Sequence, residues 1–256
     1  IKNPVSGIYN VGSGNSTSIK DIVLTVYQNL NKNCPLTFNN DLDGSNAESP
    51  NFWAGISKIT ALNGWQPKTS INEGIKKMME FNSLNEQSNE KTPEQINTVL
   101  VTGNLGYIGS VLSQLLIEKG FTVFGYDTEL YDDTCLLYSH TPQLMKQIKK
   151  DVRNATLDDF KGVDAVIHLA ALSNDPLGEF DPQLTKEINF EGTLKVALLA
   201  KEAGVKRFVY ASSQSMYGVS KTDSEITEEQ VDTSAMITEY ARTKWDAETF
   251  LHKLNS

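Results

Sequence analysis

The sequence predicts an α/β protein with a doubly wound parallel sheet, because strand patterns and helix patterns alternate in its second part. Apolar runs without polar alternation occur at 98–102, 121–126, 163–169 and 207–211. Helical stripes at 108–119 and 189–203 lie between them and each is followed by a glycine. Such strands are typical of a parallel sheet that helices cover on both faces. The alternation also requires a further strand near 147–152, where the apolar pattern is weak.

The composition excludes several function classes. The net charge is −9 without a long basic block, which disfavours nucleic-acid binding. No apolar run approaches the roughly 20 residues of a membrane span, and no leader resembles a signal peptide. Cys34 and Cys135 have no CxxC spacing and the three histidines have no ligand spacing, so no metal site is predicted. A reducing, cytoplasmic setting fits best, and His168, inside an apolar strand, is expected to be a packed structural ring.

A polar linker divides the chain. Residues 82–97 read NSLNEQSNEKTPEQIN, without a period of 2 or 3.6, and separate a segment 1–81 from a segment 98–256. The first segment predicts a short strand at 8–11 and a helix from a Ser18–Asp21 capping box to about Leu30. It further predicts a short helix at 57–63 ended by Gly64, and a helix from a Ser70–Glu73 capping box.

A glycine-rich turn follows the first strand of the second segment. TGNLGYIG places Gly103, Gly106 and Gly109 between a strand and a helix. This pattern favours a tight turn, close approach of a pyrophosphate, and phosphate binding at the helix N-terminus. Asp127 ends the next strand, 18 residues after Gly109, where it would accept hydrogen bonds from the adenosine ribose and repel the extra phosphate of NADP. The expected cofactor is therefore NAD.

A second pattern carries acid–base chemistry. VYASSQSMYG puts Ser212 and Ser213 at the carboxyl end of a strand, where ligands of such sheets bind. EYARTK then opens a helix with Tyr240 and Lys244 four residues apart, hence on one face. An ammonium beside a tyrosine stabilises the phenolate, which makes Tyr240 a usable base near neutral pH.

These motifs, together with DAVIHLAA at 164–171 and INFEGTLKV at 188–196, give residues 97–256 a dense resemblance to a known family. The segment resembles the Rossmann part of an extended short-chain dehydrogenase/reductase, of the NAD-dependent epimerase/dehydratase family that acts on nucleotide sugars. The resemblance implies that Tyr240 is the acid/base, that Lys244 holds the nicotinamide ribose, and that Ser213 hydrogen-bonds the reacting sugar oxygen. Besides the glycines, Asp127, Tyr240 and Lys244, the implied cofactor contacts are Tyr107, Ile108, Asp151, Val152, Leu169, Ala170, Ala171 and Asn189.

The resemblance leaves the reaction open. Sugar dehydratases of this family resemble one another in having Asp-Glu directly after the residue that corresponds to Ser213. Here Gln214 and Ser215 stand in those two positions, so dehydration is disfavoured. The implied activity is a nucleotide-sugar epimerase with a UDP-sugar as substrate; a keto reductase, a dehydratase or a non-catalytic NAD-binding module are the alternatives. Ser173 and Asn174 are candidate substrate contacts, or simply a turn. A homodimer through the helices 189–203 and 240–254 is implied by resemblance only.

The first segment resembles the opposite end of the same family. IYNVGSGNSTSIKDIV and the stretch 56–81 are similar to the C-terminal part of the substrate lobe, an α+β piece that normally follows the Rossmann part. The sheet of the second segment is expected to be incomplete at its C-terminal side. Three explanations are open: a slice across two tandem units, which we favour because Ile1 is no natural start, a permuted enzyme, or a scaffold that retains the fold.

Overall fold

The chain forms two compact units. The computed structural model describes residues 7–29, 52–80, 96–130, 146–173, 175–218 and 224–255. The smaller unit combines the described residues up to 80 with 224–231, and the larger one contains 96–218 and 232–255. The predicted linker at 82–97 lies outside the described residues except for its last two positions. Residues 224–231 are therefore part of the smaller unit, although they lie within the second segment of the sequence.

The larger unit is built on a five-stranded parallel sheet. Its strands are β2 (Thr98–Thr102), β3 (Thr122–Asp127), β4 (Lys146–Lys149), β5 (Ala165–His168) and β6 (Arg207–Tyr210). Their spatial order is β4-β3-β2-β5-β6. The strand predicted near 147–152 is present but starts one residue earlier and ends at Lys149, before a short 3-10 helix, Val152–Asn154. The predicted doubly wound parallel sheet is confirmed.

Helices cover both faces of this sheet. They are α4 (Tyr107–Glu118), α5 (Asp175–Phe180), α6 (Pro182–Lys186), α7 (Thr193–Glu202) and α8 (Glu239–Asn255). One core joins Leu100, Tyr126 and Val166 to Val196 of α7, and the other joins Val99, Val101 and Val123 to residues of α4. Within the described part of the chain, no helix is long and apolar enough to cross a membrane.

The carboxylate of Asp164 fixes the starts of three strands. Its Oδ2 accepts hydrogen bonds from the backbone N–H groups of Asn97 and Thr98, at 2.9 and 3.0 Å. Its Oδ1 lies 2.8 Å from Nζ of Lys206, which directly precedes β6. The hydrogen bond from Lys206 and those from the two backbone groups hold the pKa of Asp164 down at about 2. One side chain thus ties the N-terminal edges of β2, β5 and β6 together.

The described residues of the smaller unit form three helices and a two-stranded sheet. Its helices are α1 (Ile19–Asn29), α2 (Ser57–Asn63) and α3 (Ile71–Glu80), and its strands are β1 (Phe52–Ala54) and β7 (Ser224–Ile226). The two strands pair in parallel. Nδ2 of Asn10 donates to the carbonyl oxygen of Ile226, and the backbone N–H of Asn10 donates to Oε1 of Glu228. Segments far apart in the sequence therefore form one unit.

One sequence prediction of secondary structure was wrong, and another needs an earlier start. Residues 8–11 form no strand, because both the backbone and the side-chain N–H of Asn10 bond to 226–228 in place of a regular ladder. The helix predicted at 189–203 is confirmed, but the helical run begins earlier, at Pro182, where Asp181 accepts the backbone N–H of Leu184. The run continues through a π-helical turn, Glu187–Gly192, into α7.

Replacing Asp164 with Asn should lower the free energy of unfolding by about 1–2 kcal/mol at pH 7, because a charged acceptor of three hydrogen bonds is lost. Since folding lowers the pKa of this carboxyl, its contribution is complete above the unfolded pKa of about 3.9 and is lost as the pH falls towards 2. Urea unfolding at pH 7 and pH 3 measures this.

The matched control is Asp158→Asn, because this exposed aspartate forms an ion pair with the exposed Lys161 at the surface. Its effect should stay below about 0.5 kcal/mol. Equal unfolding free energies for the two variants at pH 7 would contradict the role given to Asp164.

Candidate active site

The predicted site residues lie at the carboxyl edge of the five-stranded sheet. All five strands are parallel, so the loops that follow them emerge on the same side. The glycine turn follows β2, Asp127 ends β3, Leu169 follows β5, and Ala211 follows β6. In sheets of this kind, ligands bind at that edge.

The glycine turn is closely packed, and its first and third glycines would not accept side chains. Gly103 has φ +70°, and a Cβ there would lie 2.9 Å from the backbone nitrogen of Ala170. A Cβ on Gly109 would collide with the carbonyl oxygen of Gly103. The first glycine therefore brings the turn against the loop after β5, and the third lets α4 start directly beside the turn.

The N-terminus of α4 has no side-chain cap among the described residues. Its N-cap is Gly106, and the two residues that follow, Tyr107 and Ile108, are 83% and 61% exposed. The first-turn N–H groups of such a helix remain available to an anion, and the helix dipole favours negative charge there. The geometry fits the pyrophosphate of a dinucleotide.

Asp127 joins the glycine turn to the end of β3. Its Oδ2 accepts the backbone N–H of Leu105 at 3.1 Å, and its Oδ1 accepts that of Glu129 at 2.9 Å. The carboxylate is thereby fixed in place at the carboxyl edge of the sheet, beside the turn. This is the position from which an acidic residue reaches an adenosine ribose.

His168 is fully buried and both of its ring nitrogens are bonded. Nδ1 lies 2.7 Å from Oγ1 of Thr102, and Nε2 lies 3.0 Å from Oγ1 of Thr193. The hydroxyl of Thr193 donates to the carbonyl oxygen of Asn189, so it must accept from His168 Nε2–H. The ring is then a neutral Nε2–H tautomer that accepts at Nδ1 from Thr102. The sequence prediction of a packed, satisfied ring is confirmed.

The same chain of hydrogen bonds fixes the loop after β5. Oγ1 of Thr102 accepts the N–H groups of Leu169 and Ala170 at 3.2 and 3.3 Å. The side chain of Asn189, fully buried in the π-helical turn, binds the N–H and the carbonyl oxygen of Leu172 at 2.8 and 3.1 Å. The carboxamide of Asn189, predicted to touch the cofactor, is thus used to hold this loop, which includes Ala171.

Lys244 is buried beside the end of β6. It is 4% exposed, and its Nζ donates to the carbonyl oxygen of Ala211 at 2.9 Å. The ammonium lies 4.9 Å from the ring centroid of Tyr210 and 5.9 Å from that of Tyr240. Burial lowers the pKa of Lys244 to about 8. The predicted tyrosine and lysine therefore lie together, next to the strand end that carries Ser213.

A buried acid lies one turn further along α8. Glu248 is 9% exposed, and burial raises its pKa while a hydrogen bond with the side chain of Ser212 opposes the rise. Burial also raises the pKa of Tyr210, whose hydroxyl has no partner among the described residues. The pattern of the sequence had not singled out these two residues. For Glu248, the one indication in the sequence was its position four residues after Lys244 on the same helix.

Tyr240 is covered by the segment that follows the loop after β5. A Cβ on Gly178 would lie 3.0 Å from Cβ of Tyr240, so the glycine allows α5 to pack directly on the tyrosine. Oε1 of Glu179 accepts the N–H of Glu239 at 2.5 Å at the start of α8. Of the two candidate substrate contacts, Ser173 is exposed and Asn174 lies outside the described residues.

Ser213 and Asp151 have partners within the protein. The hydroxyl of Ser213 accepts the N–H of Ser215 at 3.2 Å and caps a short 3-10 helix, Gln214–Tyr217. The carboxylate of Asp151 is bound by the guanidinium of Arg153, which lowers the pKa of Asp151. Val152, its neighbour, is buried in the core. The structure thus brings Tyr240 and Lys244 together, whereas Asp151 and Val152 mainly support the sheet edge.

The burial of Lys244 should make the free energy of unfolding depend on pH. Because the folded pKa of Lys244 is about 8 and the unfolded one about 10.4, the unfolded state binds more protons between these values, and stability rises with pH. We expect a rise of up to about 1 kcal/mol per pH unit between pH 8 and 10 in urea unfolding. Lys244→Met should abolish it, whereas Lys253→Met, exposed on the same helix, should not. An identical slope in both variants would contradict the burial of this ammonium.

Comparison with known proteins agrees with this geometry. Residues 99–256 match the NAD dependent epimerase/dehydratase family. Over 160 residues the chain is 32% identical to a UDP-glucuronate 4-epimerase of Thermodesulfobacterium geofontis, covering 58% of this chain and 48% of that protein.

Two solved structures are similar as well. MoeE5 in complex with UDP-glucose and NAD has a TM-score of 0.51 and 30% identity over 60% of this chain and 47% of its own. A UDP-N-acetylglucosamine 4-epimerase from Methanobrevibacter ruminantium, in complex with UDP-N-acetylmuramic acid, has a TM-score of 0.56 and 26% identity. The match covers 63% of this chain and 51% of that one. The chain spans about half the length of these three relatives. It belongs to the NAD dependent epimerase/dehydratase family.

Proposed function

We propose that the protein acts in NAD-dependent epimerisation of a UDP-sugar, with Tyr240 as acid/base, Lys244 as its electrostatic partner and Ser213 as a contact of the reacting oxygen. The observation that carries the proposal is the buried ammonium of Lys244 beside the ring of Tyr240, at the strand end of Ser213. A buried lysine next to a tyrosine is costly to maintain, and it stabilises a phenolate.

The proposed cofactor contacts fit an NAD molecule. Gly103 and Gly109 have no room for side chains, and they lie beside the N-terminus of α4, whose N-cap Gly106 has no side chain; this suits a pyrophosphate. Asp127 is fixed beside the turn, as binding of the ribose hydroxyls requires. The loop from Leu169 to Ala171 would line the inner face of the cofactor. When bound, NAD supplies a reversible acceptor for the hydrogen of the sugar carbon.

The protein's own side chains would then transfer the proton of the sugar hydroxyl. Tyr240, as phenolate, takes the proton of the sugar hydroxyl and returns it after the sugar has turned over. The ammonium of Lys244 stabilises the negative charge on the phenolate, and the hydroxyl of Ser213 keeps the sugar oxygen in reach. Tyr240 is 9% exposed, and α5 packs against its Cβ, which holds the base of this side chain in place.

Epimerisation is favoured over the other reactions of the family. Two of the relatives compared above are 4-epimerases, which supports an inversion at the same sugar carbon here. Gln214 and Ser215 offer no acid and base pair for water elimination, so dehydration is disfavoured. Keto reduction of a nucleotide sugar and binding of NAD without turnover remain the alternatives. We further propose that the protein is cytoplasmic, because its two cysteines suggest no disulfide framework and the proposed substrate is a nucleotide sugar.

We propose that the smaller unit is part of a substrate lobe. Support comes from the pairing of β1 with β7, because β7 follows the strand end that carries Ser213 in the sequence. A strand that follows the catalytic segment is thereby bound to residues of the first segment. The three explanations for the order of the two segments therefore stay open, because β1 and β7 belong to the same unit.

Turnover tests the proposed chemistry. The 256-residue chain, supplied with NAD, should interconvert UDP-glucuronate, UDP-glucose or UDP-N-acetylglucosamine with the corresponding 4-epimer, without net formation of NADH. Tyr240→Phe removes the proton acceptor and should slow turnover at least about 100-fold while NAD still binds. NMR of the sugar anomeric region follows the epimers, and absorbance follows NADH.

The matched control for this variant is Tyr27→Phe, on α1 of the smaller unit, which should retain full turnover. Binding of NAD without conversion of any of the three sugars would contradict the proposed epimerase. Stoichiometric oxidation or formation of NADH would instead support a reductase. Full activity of Tyr240→Phe would refute the role of this tyrosine.

We also propose a homodimer formed by α7 and α8. Leu198 of α7 is 48% exposed, and Nζ of Lys201 donates to the carbonyl oxygen of Leu254, which holds the two helices as one surface. Leu198→Glu should shift the protein from dimer to monomer in analytical ultracentrifugation, because a charge cannot be buried between two copies. Leu115→Glu is the control, because Leu115 is also 48% exposed but lies on α4, which packs against the other core of the sheet. A monomeric unmodified chain would contradict the proposal.

A further inference from the structure

Glu129 is the only described residue other than glycine with a positive φ, at 61°. This left-handed conformation is unfavourable for a residue with a side chain. It is maintained by the hydrogen bond from the N–H of Glu129 to Oδ1 of Asp127. The position of Glu129 is therefore tied to the carboxylate that faces the proposed ribose site.

The side chain of Glu129 holds a lysine of the neighbouring strand. Its Oε2 lies 2.9 Å from Nζ of Lys149, and the glutamate side chain is 15% exposed whereas that of the lysine is 68% exposed. Lys149 of β4 is the register partner of Asp127 of β3. Paired residues of adjacent strands lie about 5 Å apart, so Lys149 is directly beside the ribose-binding acid.

This arrangement places a cation next to the position at which NADP carries its additional phosphate. A long, flexible lysine at that position would attract the phosphate dianion. The bond to Glu129 instead directs the ammonium towards a carboxylate and offsets its charge. Without Glu129, the local balance of Asp127, Glu129 and Lys149 would change from one net negative charge to none.

We propose that Glu129 determines cofactor specificity by keeping the ammonium of Lys149 bound to itself and away from the 2′-phosphate of NADP. Glu129 does not need to touch NAD for this role, because it acts through Lys149. The inference rests on the proposed function in one respect: Asp127 must bind the adenosine ribose.

Calorimetric titration of the whole chain with NAD and NADP tests the proposal. Glu129→Gln removes the charge at nearly constant shape, and the ratio of the NADP to the NAD dissociation constant should fall about five- to tenfold at low salt. Because Lys149 is exposed, the change should shrink strongly at about 0.5 M salt. Glu129→Gly, which accepts the positive φ readily, should change the ratio in the same direction and protects the test against misfolding.

A second substitution identifies the lysine as the acceptor of the phosphate. Lys149→Met combined with Glu129→Gln should remove most of the gain in NADP binding. A ratio that stays unchanged in both Glu129 variants, while the unmodified chain binds NAD, would overturn the inference alone. A gain that survives the loss of Lys149 would also overturn it. Absence of NAD binding by the unmodified chain would refute the proposed function and this inference together.

Discussion

The buried imidazole of His168 is the constraint on which the carboxyl edge of the sheet depends. Its two nitrogens connect Thr102 at the end of the central strand to Thr193 at the start of α7. Each threonine in turn fixes a further group: Thr102 holds the loop after β5, and Thr193 holds the π-helical turn. The loop that would line the cofactor is thus defined by hydrogen bonds that all require one tautomer of a neutral ring. A charged ring would disrupt them, because Nδ1 could no longer accept.

Burial makes that neutral state secure. Burial, together with the smaller effect of the nearby charge of Lys244, lowers the pKa of His168 to about 3. The same burial lowers the pKa of Lys244 to about 8, so the ammonium remains largely charged at neutral pH. Two basic groups in one apolar environment thereby have different protonation states. The ring serves as a fixed support, and the lysine retains the charge that a phenolate at Tyr240 would require.

Much of this fold was predictable from local sequence. The Ser70–Glu73 capping box and the left-handed Gly64 at the end of α2 are present as predicted, since such termini depend on residues within one turn. The parallel sheet was predictable from its uninterrupted apolar strands. The pairing of β1 with β7 was not, because it joins three-residue strands separated by about 170 residues and no local pattern encodes such a partner.

The site followed the same division. Motif spacing predicted that Tyr240 and Lys244 share a helix face, and the glycine turn was evident from its three glycines. The use of Asn189 on Leu172 and the contact of Glu129 with Lys149 depend on which loops meet in space. The sequence also could not reveal that residues 224–231 join the first segment. Short-range physics thus determined the elements, and long-range packing determined which side chains of the site face one another.

We propose that the carboxyl edge of this sheet binds NAD beside Tyr240 and Lys244. A crystal structure of the whole chain grown with NAD tests it most directly. We expect the pyrophosphate at the N-terminus of α4, the adenosine ribose on Asp127, and the nicotinamide ribose within hydrogen-bond distance of Lys244. A cofactor bound elsewhere, or one whose nicotinamide lies away from Tyr240, would contradict it.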